Sequence, residues 1–175
     1  MKKNIKIFLP LLFLLIICLI YFLPIFTNPG KILHGQDFSV IYYWKDFIKQ
    51  ELSGFRLPLW NPNDRTGFPY FANPNVAVWY PSNLLFLLFP IYFALNLTFF
   101  IHVFLTLIFS YLFAKSLKLS TIPSLTVAVA FAFSGFIPMR IYSGHREIIE
   151  SLPYIPAIFL FLNKYFSTQK ILQLS

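Results

Sequence analysis

Asp37 is the residue of this 175-residue chain best placed to do chemistry. It stands just before a helix-like stretch and soon after a long apolar run. One reading is an N-cap, because an Asp at a helix start satisfies open backbone amides. The other is a carboxylate at a membrane surface that ligates a divalent cation or takes a proton from an acceptor hydroxyl. A second polar segment, RIYSGHREIIES, carries Arg140, His145, Arg146, Glu147 and Glu150. Arginines and a histidine there could hold a lipid-linked phosphate, since a guanidinium presents a fork of donors matched to phosphate oxygens. The plain alternative is a charged loop that anchors helices at the headgroups.

Other polar residues carry weaker signals. His102 lies deep in an apolar run, where an ionisable group is costly and must face other helices. A neutral imidazole bonded to a neighbouring helix explains it better than catalysis. Asp64 and Arg65 sit between tight turns and read as a local pair. Trp60, Tyr70, Trp79 and Tyr80 either stack on a sugar ring or belong to the interfacial aromatic belt. Cys18, the one cysteine, falls inside an apolar run and reads as a small buried hydrophobe.

The elements that must position these residues are membrane elements. Hydrophobic residues make up 58% of the chain and charged residues 11%, against about 25% charged in soluble domains. The mean hydropathy is +0.69. A net charge of +8 is spread with no basic cluster larger than Lys2-Lys3, which argues against nucleic acid as a partner. The expected architecture is all-α and polytopic, with about four transmembrane helices over 7–26, 91–114, 122–139 and 148–166. Each run approaches the ~20 residues that a helix needs to cross the hydrocarbon. The first run follows Lys2, Lys3 and Lys6 and ends FLPIFTNPG. It is longer than a signal-peptide core and has no small-residue cleavage site, so it reads as an uncleaved span. Gly135 and the Ala/Ser content of the third run suit close helix approach. Pro153 and Pro156 are expected to kink the fourth.

Between the first two spans lies a loop, 27–83, holding four of the six acids and all three tryptophans. Within it an amphipathic helix is expected over 39–53. Val40, Ile41, Trp44, Phe47, Ile48 and Leu52 form one face; Lys45, Asp46, Lys49 and Gln50 form the other, so that the helix lies on the membrane interface. The remainder is rich in Asn, Pro and aromatics, and each residue before a proline is held extended. It reads as an ordered lid, with Trp60 and Trp79 among its anchors. With a cytoplasmic N-terminus, Lys2, Lys3, Lys6, Lys115, Lys118, Lys164 and Lys170 fall inside with no acid, and all six acids fall outside. That bias fixes the loop on the outer side of a multi-pass cell-membrane protein.

LPLWNP at 57–62, TGFPYFANPNVAVWYPSNLLFLLFP at 66–90, and AFAFSGFIP at 130–138 followed by Gly144-His145 resemble the N-terminal part of the YfhO family. These are large bacterial membrane proteins of the GT-C glycosyltransferase superfamily. The resemblance covers about residues 35–164. It implies transfer of a sugar from a polyprenyl-phosphate donor to a cell-envelope glycopolymer such as teichoic acid, outside the membrane. It implies a catalytic role for Asp37, in HGQDF, and singles out His145. Arg140 or Arg146 would then steady the departing phosphate, and a divalent cation is a further option. Such proteins have many more spans, so the chain is expected to work with missing C-terminal spans, embedded in membrane lipids. The alternative function is a non-catalytic membrane component of a transport or envelope-assembly complex.

Overall fold

A computed structural model describes residues 2–31, 37–64 and 66–172. It is predominantly α-helical. The helices are α1 (Lys2–Tyr21), α2 (Leu23–Thr27), α3 (Phe38–Ser53), α4 (Leu84–Leu88), α5 (Ile91–Ser116), α6 (Thr121–Ala132), α7 (Phe136–Ser143), α8 (Arg146–Ser151) and α9 (Tyr154–Leu172). Two stretches, Ile91–Ser116 and Thr121–Ser143, are long and apolar enough to cross a membrane.

α5 is the axis of the molecule, packed against α1, α3, α4, α6, α8 and α9. Pro90 starts it, where the missing amide costs nothing. α6 lies against α5 along Ser124, Ala128 and Ala132, all buried and spaced four apart. Such a stripe lets two backbones approach closely. The core around α5 includes Leu14, Cys18, Phe22, Phe38, Ile41, Phe86, Leu95, Phe99, Val103 and Leu107.

Three of the expected spans are interrupted. The first breaks at Phe22, where α1 ends and the Leu23-Pro24 start of α2 follows. The third breaks at Phe133 to Gly135, between α6 and α7. The fourth starts at Tyr154 rather than 148, because Ile148 belongs to the separate helix α8 and Leu152-Pro153 divides the two. Pro156 falls in the first turn of α9, where proline is tolerated, so only Pro153 marks a break. Just before α5, residues Leu84–Leu88 form the short helix α4.

The amphipathic helix appears as α3, within a residue of its expected start, but its faces differ. Its buried stripe is Phe38, Ile41, Lys45 and Ile48, whereas Val40 is exposed. Lys45, expected on the solvent face, is wholly buried. Its Nζ donates to Val76 O at 2.7 Å and to Asn83 Oδ1 at 2.8 Å, and it lies over the Phe86 ring. Burial, with Arg146 nearby and Glu150 opposing, holds this amine well below the ordinary lysine pKa. α3 is thus clamped to the loop it precedes.

That loop has a small core of its own: Ile48, Tyr70, Val76 and Val78, flanked by Trp44, Phe47, Leu52 and Phe68. Trp60 and Trp79 are instead exposed, at 54% and 71%. Tyr70 and the Lys45 clamp anchor the lid in their place. Asn61 and Phe68 exchange both backbone hydrogen bonds, at 2.9 Å each, across a tight turn. Gly67, at φ +103°, closes it under the Trp60 ring.

Candidate functional site

α7 ends in a Schellman cap: Gly144 N–H donates to Ile141 O at 3.0 Å, and His145 N–H to Arg140 O at 2.9 Å. Gly144 takes the left-handed conformation this needs, at φ +81°. The turn presses Gly144 onto the start of α3. A Cβ there would lie 3.1 Å from the Asp37 backbone nitrogen. Two segments more than a hundred residues apart therefore meet at this point.

Three of the sequence-derived site residues converge here. Asp37 holds the N-cap position of α3, yet its side chain makes no capping bond. Its carboxylate is 60% exposed, with Oδ2 3.8 Å from His145 Nε2. Arg140 Nη1 donates to His145 Nδ1 at 2.9 Å. A guanidinium has only donors, so Nδ1 must accept and the ring proton sits on Nε2, toward Asp37. Arg140 in turn stacks on the Phe136 ring, 4.8 Å from its centroid. The order is fixed: arginine holds histidine, and histidine faces the carboxylate. At 3.8 Å that last contact is an N–H turned toward a carboxylate, longer than a hydrogen bond. This leaves the exposed carboxylate able to engage a further hydroxyl.

Arg146 is not at this surface. It is 1% exposed, with Nη1 donating to Glu150 Oε1 at 2.8 Å and Nη2 to Asn75 O at 3.4 Å. Positions 146 and 150 are one turn apart on α8, and a buried arginine needs such a carboxylate. Glu150 Oε1 also accepts from Ser82 Oγ at 2.6 Å. The pair ties the loop to α8, and its fork of donors is spent on the protein itself.

His102 bonds differently from expectation. Its Nδ1 donates within α5 to Thr98 O at 2.7 Å, and its Nε2 meets Tyr80 Oη of the loop at 2.9 Å, not a neighbouring helix. Tyr80 Oη also donates to Glu150 O and touches Tyr154 Oη. A cavity of about 330 Å³ opens beside this cluster, with Leu85, Ile101, Leu105 and Phe109 as apolar walls. It shares no lining residue with the Asp37 cluster. Tyr70, buried, and Trp79, which packs edge-on to Phe71, do not join one aromatic platform with Tyr80. Arg65 lies outside the described residues, as do 32–36; Asp64 Oδ2 accepts from Trp44 Nε1 at 3.4 Å. Among the described residues no three acids, histidines or cysteines gather as a metal site.

Sequence reasoning missed Lys45 and the hub at Tyr80. The period of α3 does mark Lys45, since 38, 41, 45 and 48 share one face. Nothing local marks Tyr80, whose partners come from α5, α8 and α9. No protein-family model, curated protein or solved structure matches the chain.

Proposed function

We propose that the chain forms the front part of a membrane glycosyltransferase that moves a sugar from a polyprenyl-phosphate donor to a cell-envelope polymer. One observation carries the reading: an exposed carboxylate, Asp37, is faced by a histidine that an arginine orients. In the proposed reaction the acceptor hydroxyl gives its proton to Asp37, and its oxygen attacks the anomeric carbon. The bond from that carbon to the phosphate oxygen breaks, and the polyprenyl phosphate leaves with the electron pair, inverting the centre. His145 turns its Nε2 proton toward the Asp37 carboxylate from 3.8 Å. Arg140, whose Nη groups keep further hydrogens beyond the one given to His145 while its Nε is buried, balances charge on the departing phosphate.

The four-span topology belongs to the same proposal. Its support is the apolar outer surface of the flanking helices. Phe8, Leu9 and Ile20 on α1, and Ile158, Phe159, Phe161 and Phe166 on α9, are all exposed. Lipid would cover these faces; water would leave a large apolar patch uncovered.

Asp37→Asn tests the chemistry. The carboxylate makes no capping bond, and Asn is itself a good N-cap, so the fold should persist. Transfer of labelled sugar from the polyprenyl-phosphate donor, in membranes holding the full-length gene product, should fall about 10²–10⁴-fold at equal protein level. A rate within a few-fold of wild type would leave a non-catalytic envelope component as the better reading.

A further inference from the structure

Next to Asp37, α3 and the tight turn of the loop enclose a second feature. The turn docks on α3 by two side chains: Tyr43 Oη donates to Asn63 O at 3.1 Å, and Trp44 Nε1 to Asp64 Oδ2 at 3.4 Å. Between them lies a cleft of about 330 Å³, lined by Ser39, Val40, Tyr43, Trp44 and Asp64. Its shape is held from both sides. Gly67 N–H donates to Asp64 O at 2.9 Å, and the Asn61–Phe68 pair closes the turn behind it. Ser39 is two residues from Asp37, about 3 Å further along the helix axis and on a different side of it, so Asp37 stands at the end of the cleft without lining it.

We propose that this cleft binds a pyranose ring of the acceptor polymer, with Asp64 accepting from adjacent sugar hydroxyls beside the Tyr43 and Trp44 rings. This rests on the glycosyltransferase reading, and it names the acceptor's seat beside Asp37. The chemistry suits a neutral polyol. A carboxylate offers about four lone-pair sites, and the Trp44 bond takes one. The Ser39 hydroxyl can donate or accept, and Tyr43 Oη can still accept while it donates to Asn63. Aromatic rings next to such groups cover the apolar C–H face of a sugar. A quaternary ammonium would also like a carboxylate and rings, but it gains nothing from the two hydroxyls.

The test uses the whole chain in detergent, with 5-fluorotryptophan at its three tryptophans and methyl glucoside, methyl galactoside and N-acetylglucosamine as probes. The Trp44 fluorine resonance should shift saturably with at least one sugar, while those of Trp60 and Trp79 stay put. Asp64→Asn should weaken that sugar roughly 10- to 100-fold, the value of a hydrogen bond to a charged group. Ser39→Ala, on an exposed first turn, should weaken it about 2- to 10-fold without touching the fold. No shift of Trp44 with any of the three sugars overturns the proposal. So does equal affinity in Asp64→Asn, or saturation by tetramethylammonium alone. In the full-length protein Asp64→Asn should raise KM for acceptor with kcat little changed, whereas Asp37→Asn lowers kcat. Loss of transfer in Asp37→Asn with no sugar bound at Trp44 would sink the cleft alone. Sugar bound at Trp44 with full transfer in Asp37→Asn would sink the enzyme reading alone.

Discussion

At Gly144 an added methyl group meets two obstacles at once. The left-handed backbone costs a non-glycine residue roughly 1–2 kcal/mol, and the new Cβ would press on Asp37 backbone atoms at 3.1–3.3 Å. Part of the strain should be relieved by moving Asp37 away from His145. We therefore expect Gly144→Ala to reduce sugar transfer by about tenfold or more, since ~1.4 kcal/mol at the barrier is a factor of ten. Chain level, followed by immunoblot, should fall far less. Wild-type transfer by Gly144→Ala would show that the close approach has no part in the proposed reaction. The Gly-His pair was singled out in the sequence by family resemblance, not by any local helix signal. Its contact with Asp37 was not, for no local pattern reports a meeting between segments so far apart. Lys45 shows the reverse failure. Its position in the helical period was legible, but its charge argued for solvent.

Among the elements, the loop between α3 and α4 is ordered by a few residues rather than by its tryptophans. Tyr70 is fully buried in the loop core, packed edge-on to Phe47 at 4.9 Å. Removing a buried aromatic costs about 3–5 kcal/mol, more than so small a core can absorb. Tyr70→Ala should thus expose the stretch between Gly54 and Asn83 to added protease, whereas Trp79→Ala should be cut no faster than wild type. Tyr70→Phe separates packing from polarity. The Tyr70 hydroxyl has no hydrogen-bond partner among the described residues, so its loss should leave the loop as resistant as before. Faster cutting of Trp79→Ala than of Tyr70→Ala would overturn this ordering of anchors. Helix positions were readable wherever apolar periodicity ran against polar breaks, as at α3 and α5. The interruptions at Phe22 and Gly135 were harder, because hydropathy runs through them while the backbone does not; at Pro153 the expected kink does mark the break.

For the whole molecule, lysine bias supplies a testable expectation of the proposed topology. Single cysteines at Asn63, in the loop, and at Ser120, between α5 and α6, should differ in reaction with an impermeant thiol reagent in intact cells. Asn63→Cys should label and Ser120→Cys should not; the reverse pattern would invert the topology. Cys18 is buried, so it adds little background. Ser120 suits the test better than Ser116, whose hydroxyl accepts from Asn163 of α9 at 2.9 Å. The polar network that holds the loop also has a clock in it. Lys45, Ser82 and Asn83 are made early, but Glu150, which accepts from Ser82 and pairs with Arg146, comes 67 residues after Asn83. At about 5–20 residues per second, the ribosome needs roughly 3–13 s to supply it. For those seconds the newborn loop must wait, half-fastened, for a partner that has not yet been synthesised.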